Sequence, residues 1–231
     1  MIIDYIEALG VLEHAGIRVV RAKYVDSAQD AVGFATRREA RDPRVMPIVL
    51  SYVPGDATAA ESNPPANGAL HTSESIQAAH ARLAAPAGTV SRRILAQEYV
   101  ESGTDVAITY RAEESGQKYL ELRVGDHGTE QLLPIDGTGV RILVENMFGY
   151  DHRGRSEKSR RMLEHLILRV CGLLDEFAID TLELDPVRLH ENTYTVIGAT
   201  IGAASRLHAG KRLSRHAHDR KAYGYRPSGR Q

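Results

Sequence analysis

The segment with the plainest chemical content is Thr181-Leu-Glu-Leu-Asp-Pro186. Successive side chains on a β-strand point to opposite faces, so Glu183 and Asp185 project side by side. Two hard carboxylate groups this close can hold Mg²⁺, which keeps its remaining positions for water and phosphate. The plainer alternative is a solvated acidic pair at a strand end, with Pro186 stopping the ladder just after it. A second segment, Ala96-Gln-Glu-Tyr-Val100, reads as an edge strand leaving one lobe. Its backbone can meet a purine, and Glu98 can accept from an exocyclic amine or a ribose hydroxyl. A half-exposed sheet strand has the same signature. Gly125-Asp126-His127-Gly128 follows a strand. Glycines there let the backbone approach phosphate oxygens, and they equally suit a hairpin turn. His14, His80 and His165 fall on expected helices and read as surface residues, and Cys171 falls on an apolar helical stripe and reads as core. His216 and His218 form a His-x-His pair with no further ligand beside them.

The elements that must position these groups follow from periodicity. Residues 4–15 read as a helix ended by Gly16, and residues 17–24 as a strand. Asp26 and Ser27 offer N-cap oxygens to a helix running to about Ala40, and residues 47–53 form a short buried strand. Residues 54–68 are small, polar and proline-rich, as expected of a mobile loop, before a helix over 73–83. From Arg93 the pattern has period two, with a hairpin of 105–111 and 118–124 and a short strand at 131–134. A helix carrying Val140, Leu143, Val144 and Met147 comes next, then a long one over 157–177 with Leu163, Leu166, Ile167 and Val170 on one stripe. A second hairpin, 181–189 and 193–201, turns at Glu191-Asn192. The expected fold is α+β with two lobes, about 1–95 and 96–204, and a cleft between lobes is a common place for a ligand.

Composition narrows the function classes. The 231 residues carry a net charge of −1, so the whole molecule has no bias toward nucleic acid or membrane. One cysteine excludes an intramolecular disulfide and a cysteine-based zinc site, which suits a reducing cytoplasm. The first sixteen residues lack the basic start of a signal peptide, and no run approaches the roughly 20 apolar residues of a membrane span. The tail, 205–231, differs from the rest. From Lys211 to Gln231 there are seven basic residues against one acid, a local excess of six. It reads as a solvated tail or as an arm for phosphates and nucleic acid, with Tyr223 and Tyr225 available for stacking.

The order of these segments resembles the ATP-grasp (β) subunit of ADP-forming acetyl- and acyl-CoA synthetases, relatives of the succinyl-CoA synthetase β subunit. LGVLEHAGIRVVRAKYVDSAQDAVGFA resembles the opening helix, strand and helix, and MPIVLSYV resembles the Pro-Val-Val-Leu-Lys strand. ILAQEYVESGTDVAITY is similar to the Val-Gln-Glu hinge and its next strand. The stretch from Leu133 through FGYDHRGR to LELDPVRL follows the family's order up to Asp-Ile-Asn-Pro-Leu. The resemblance covers about residues 5–203 and implies an ATP-grasp domain over 1–204. It implies ATP or ADP and Mg²⁺ as ligands, with Gln97 and Glu98 beside the base, Gly125 and Gly128 near the phosphates, and Glu183 and Asp185 on the metal. It further implies a CoA-binding partner subunit in a homo- or hetero-oligomer, and phosphoryl transfer to a partner histidine.

Three departures bear on activity. Ser51 stands where the family has its phosphate-binding lysine, and Gly198 where it has a second metal-binding aspartate. The family's His-Lys-Ser-Asp segment falls near Ala60, Glu61, Ser62 and Asn63. Losing that charge removes stabilisation on which phosphoryl transfer depends. A pseudoenzyme kept as scaffold or regulator is therefore a second expectation, and a binding module using its basic tail a third.

Overall fold

Side-chain oxygens fix the first two helix starts. Asp4 Oδ1 accepts the Ile6 N–H at 2.9 Å and opens α1 (Tyr5–His14). After β1 (Ala22–Val25), Ser27 Oγ accepts the Asp30 N–H at 3.0 Å and opens α2 (Ala28–Ala35). Each cap satisfies an amide that helix geometry leaves unpaired, worth about 1 kcal/mol. The fold is that of a computed structural model, which describes residues 1–37, 44–54, 68–84, 92–148 and 157–203. Outside them lie most of the expected loop at 54–68, the FGYDHRGR stretch beyond Phe148, and the basic tail with His216 and His218.

Helix α2 stops at Ala35, short of the expected end near Ala40. Thr36 turns extended and its hydroxyl donates to the Val32 carbonyl at 2.8 Å, so β2 (Thr36–Arg37) instead pairs with β3 (Arg44–Val45). With β4 (Ile48–Pro54), α3 (Ser73–Ala84) and β5 (Arg92–Glu98), β1 completes a three-stranded antiparallel sheet in the order β1-β5-β4. Val25, Phe34, Ile48, Leu50, Ile76 and Ile94 form its core under α2 and α3. The expectation of an edge strand at residues 96–100 is overturned: β5 is central, paired by β1 on one side and β4 on the other. The reason is burial on both faces, since Ile94 and Ala96 lie in this core while Leu95 lies in the other.

The larger sheet follows. It comprises β6 (Thr104–Ala112), β7 (Lys118–Val124), β8 (His127–Leu132), β9 (Ile179–Leu189), β10 (Tyr194–Val196) and β11 (Thr200–Ala203). Its order is β10-β9-β6-β7-β8, with β11 also on β9. Two helices, α4 (Gly137–Phe148) and α5 (Glu157–Glu176), share its core together with α1. Leu120, Leu122, Leu182 and Leu184 from the sheet and Leu163, Leu166 and Ile167 from α5 are fully buried there. Each such side chain contributes about 1.5–3 kcal/mol on burial, so packing outweighs capping in holding these elements. His80, expected at the surface, is buried on α3, and Cys171 is half-buried on α5. No helix among the described residues is long and apolar enough to cross a membrane.

Two corrections concern strand continuity. The expected strand at 193–201 divides into β10 and β11, because Pro186 of β9 has no N–H for the ladder. The amides of Ile197 and Gly198 instead reach the Pro186 carbonyl at 2.9 and 3.3 Å. The expected strand at 17–24 serves both sheets. Arg18 and Val20 exchange bonds with Val196 of the larger sheet at 2.9 and 2.8 Å, and only residues from Ala22 onward pair with β5. The chain returns at Glu98, whose N–H donates to the Arg21 carbonyl at 2.9 Å. Residues 1–3 run beside β11, with Ile3 N–H bonded to Ile201 O at 3.0 Å and Ala203 N–H to Met1 O at 2.9 Å.

Candidate functional site

Along β9, Leu182 and Leu184 are fully buried while Glu183 and Asp185 are exposed, so the two carboxylates share the open face of the larger sheet. Pairing places Glu183 in a row with Thr200, Thr109, Glu121 and Glu130. One step toward Pro186, Ala107, Arg123 and Gly128 lie across β6, β7 and β8. Arg123 Nη2 donates to Asp185 Oδ2 at 3.2 Å, and Arg111 Nη2 donates to Glu130 Oε2 at 2.7 Å. Gly125 and Asp126 are the two-residue turn joining β7 to β8, while Gly128 lies within β8 opposite Arg123. The structure thus brings Gly128, Glu183 and Asp185 to one sheet face.

This donor set is a carboxylate pair with a cation already beside it. Among the described residues, no group of three or more His, Cys, Asp or Glu is placed to hold a metal ion. One of the two expected ligands, Asp185, already faces a guanidinium. A third carboxylate cannot be supplied by residue 198. A Cβ there would lie inside the van der Waals shell of the Asp185 carbonyl oxygen and 2.7 Å from its carbon. Unstrained carbon contacts need about 3.5–4.0 Å. Glycine at 198 is a condition of the backbone crossing beside Asp185.

On the smaller sheet, Ser51 is buried and pairs with Leu95. Gln97 points at the seam between the sheets, its Nε2 donating to Tyr5 Oη at 2.8 Å and to the Ile197 carbonyl at 2.9 Å. The Tyr5 hydroxyl donates to the same carbonyl. Burial, and then the neighbouring Tyr24, hold the Tyr5 phenol well above its ordinary range against the opposing bond from Gln97. Beside it, Asp4 Oδ2 accepts from Tyr24 Oη at 3.1 Å and from Arg93 Nη2 at 2.9 Å, with the Arg93 guanidinium 4.1 Å from the Tyr24 ring centroid. Burial and then the Asp4 carboxylate push Tyr24 up to about 12. Glu98 is half-buried one residue beyond Gln97. Arg188 straps the following linker, donating to Val100 O at 2.8 Å and to both carboxylate oxygens of Asp105 at 2.7 and 2.9 Å.

Of the groups singled out from sequence, Gln97 therefore meets the carbonyl next to Gly198, and Gly198 meets Asp185. Sequence reasoning missed Arg123, Tyr5, Asp4 and Arg188. The alternation of Leu120-Glu-Leu-Arg123 marks Arg123 as outward-facing, but only sheet pairing shows which carboxylate it meets.

No protein-family model matches the sequence, and no curated protein matches it. Solved structures do. A chain of the dinucleotide-forming acetyl-coenzyme A synthetase 1 of Ca. Korarchaeum cryptofilum superposes with a TM-score of 0.69 at 18% identity, over 85% of this chain and 91% of that one. Another structure of that enzyme contains coenzyme A and Mg-AMPPCP. A protein of Pyrococcus horikoshii gives a TM-score of 0.67 at 16% identity, covering 89% and 92%. The ATP citrate lyase of Methanothrix soehngenii gives 0.53 at 10% identity, covering 87% of this chain and 49% of that one. These likenesses show the fold alone, α+β with two sheets and their helices, similar to that of the ATP-grasp chains it superposes on.

Proposed function

We propose that this chain is the nucleotide-binding subunit of an acyl-CoA synthetase-type assembly, taking ATP or ADP between its two sheets beside a CoA-binding partner. The observation that carries this reading is extent: the chain spans 91% of one chain of the Korarchaeum enzyme, a whole subunit rather than a shared motif. In this reading Glu98 lies at the base side, and the Gly125–Gly128 hairpin flanks the phosphates. Gln97 keeps its amide in the seam and holds Glu98 in place. If active, the subunit exchanges a phosphoryl group between nucleotide and a partner histidine.

Ser51 and Gly198 favour a second reading, a catalytically degenerate subunit kept for binding or regulation. Phosphoryl transfer depends on positioned charge, and loss of one stabilising group typically costs about 10²–10³ in rate. Two charged positions are neutral here. Calorimetric titration with ADP and ATP tests the nucleotide reading, and absence of binding by both overturns it. A coupled assay for ATP turnover and acyl-CoA formation tests the second. Turnover on the order of 10 s⁻¹ would sink it.

A further inference from the structure

We infer that this chain binds its nucleotide without a divalent cation, with the Arg123 guanidinium supplying positive charge at the position the fold family gives to a metal. The inference rests on the nucleotide reading above. Three observations converge on it. Glu183 and Asp185 share the open face of the larger sheet, but no third ligand joins them among the described residues. The backbone at 198 lies too close to Asp185 for any side chain, so the missing carboxylate cannot return by substitution. Arg123, from a different strand, already bonds Asp185 at 3.2 Å with its side chain 54% exposed, so it can meet an anion from solvent.

The chemistry matches the placement. A guanidinium offers several N–H donors in a fixed plane, so it can keep one bond to Asp185 and turn others to phosphate oxygens. Opposite it in the pairing stands Gly128, which puts no side chain over the guanidinium from β8. Asp185 then acts as a positioning residue that orients Arg123. The resulting site holds the nucleotide's phosphates without needing a metal ion to neutralise them.

The test is calorimetric titration of the full chain with ADP, once in EDTA and once in millimolar Mg²⁺. The expected result is dissociation constants that agree within about threefold, a difference below 1 kcal/mol. Arg123→Gln should weaken binding in EDTA by about tenfold or more, the usual scale for losing a charged hydrogen bond. Arg123→Lys should restore part of it, and melting curves should show both variants folded. Mn²⁺ alone, followed by its electron paramagnetic resonance signal, should stay free in the presence of the wild-type chain. Wild-type ADP binding that collapses in EDTA, or Mn²⁺ captured by the nucleotide-free chain, overturns the inference and leaves the nucleotide reading standing. Unchanged binding by Arg123→Gln in EDTA removes Arg123 from the site and overturns the inference. No ADP binding in either buffer ends both.

Discussion

A methyl group on residue 198 has nowhere to go. Its neighbours would be the carbonyl group of Asp185 and, at 3.3 Å, the nitrogen of Pro186, all backbone atoms of β9. Flexible side chains yield to such crowding at little cost, whereas a sheet backbone does not. Gly198→Ala should therefore destabilise the protein by about 3 kcal/mol, at the upper end for overpacking. Chemical denaturation would measure it, and a loss below about 0.5 kcal/mol would mean that the crossing relaxes. Glu183 and Asp185 were readable as a same-face pair because alternation needs only local sequence. The ion pair that occupies Asp185 was not, since Arg123 and Asp185 lie 62 positions apart and meet only once β6 separates β7 from β9. Spacing can show which way a carboxylate points but not what already answers its charge.

Helix α1 ends against helix α5 at its C-cap, Ala15. Arg169 Nη1 donates to the Ala15 carbonyl at 3.1 Å, placing a cation at the C-terminal end of α1 where the helix dipole favours it. Gly16 then turns the chain at φ +74°, with the Arg169 guanidinium carbon 3.2 Å from where a Cβ would stand. Gly16→Ala should cost about 1–2 kcal/mol for the left-handed backbone, and more for displacing the guanidinium. Pairing it with Arg169→Ala separates the terms: in that background the penalty of Gly16→Ala should fall toward the backbone cost alone. An undiminished penalty would mean that Arg169 is not crowded. At this scale the sequence was most legible where an element is local. The helices α1, α3 and α5 begin and end within about two residues of their expected bounds, because capping oxygens, Gly16 and apolar spacing define them. Helix α2 ran long on paper because the hydroxyl bond that turns Thr36 outward has no signature in spacing. The central position of β5 was hidden too, since a strand's neighbours are a property of topology.

The two sheets are joined along a seam of phenols and ions. Tyr5, Gln97 and the Ile197 carbonyl bond to one another, while Asp4 gathers Tyr24 and Arg93 beside them. Both phenols are held above their ordinary range, so the folded protein keeps protons that the unfolded chain releases near pH 10. Above that pH the unfolded state binds fewer protons than the folded one, and stability falls as pH rises; below it the contribution is fully present. The melting temperature should be nearly level from about pH 7 to 9 and decline beyond about 10. Tyr5→Phe should lower it at neutral pH and flatten the alkaline decline, with phenolate absorbance followed in parallel. An identical decline in the variant would place the alkaline sensitivity outside the seam.

Residues 1–3 and β11 have a consequence for synthesis. The Ala203 N–H and the Met1 carbonyl meet at 2.9 Å although 202 positions separate them, and Ile2 bridges Gly202. A ribosome adding roughly 5–20 residues per second needs about 10–40 s to make the second half of that pair after the first. Throughout that interval the hydrophobic start of the chain has no strand to join, and α1 has no finished core to enter. The growing polypeptide thus carries an unpaired hydrophobic segment for most of the time between the two, and the last of the described strands to be made is the one that covers it.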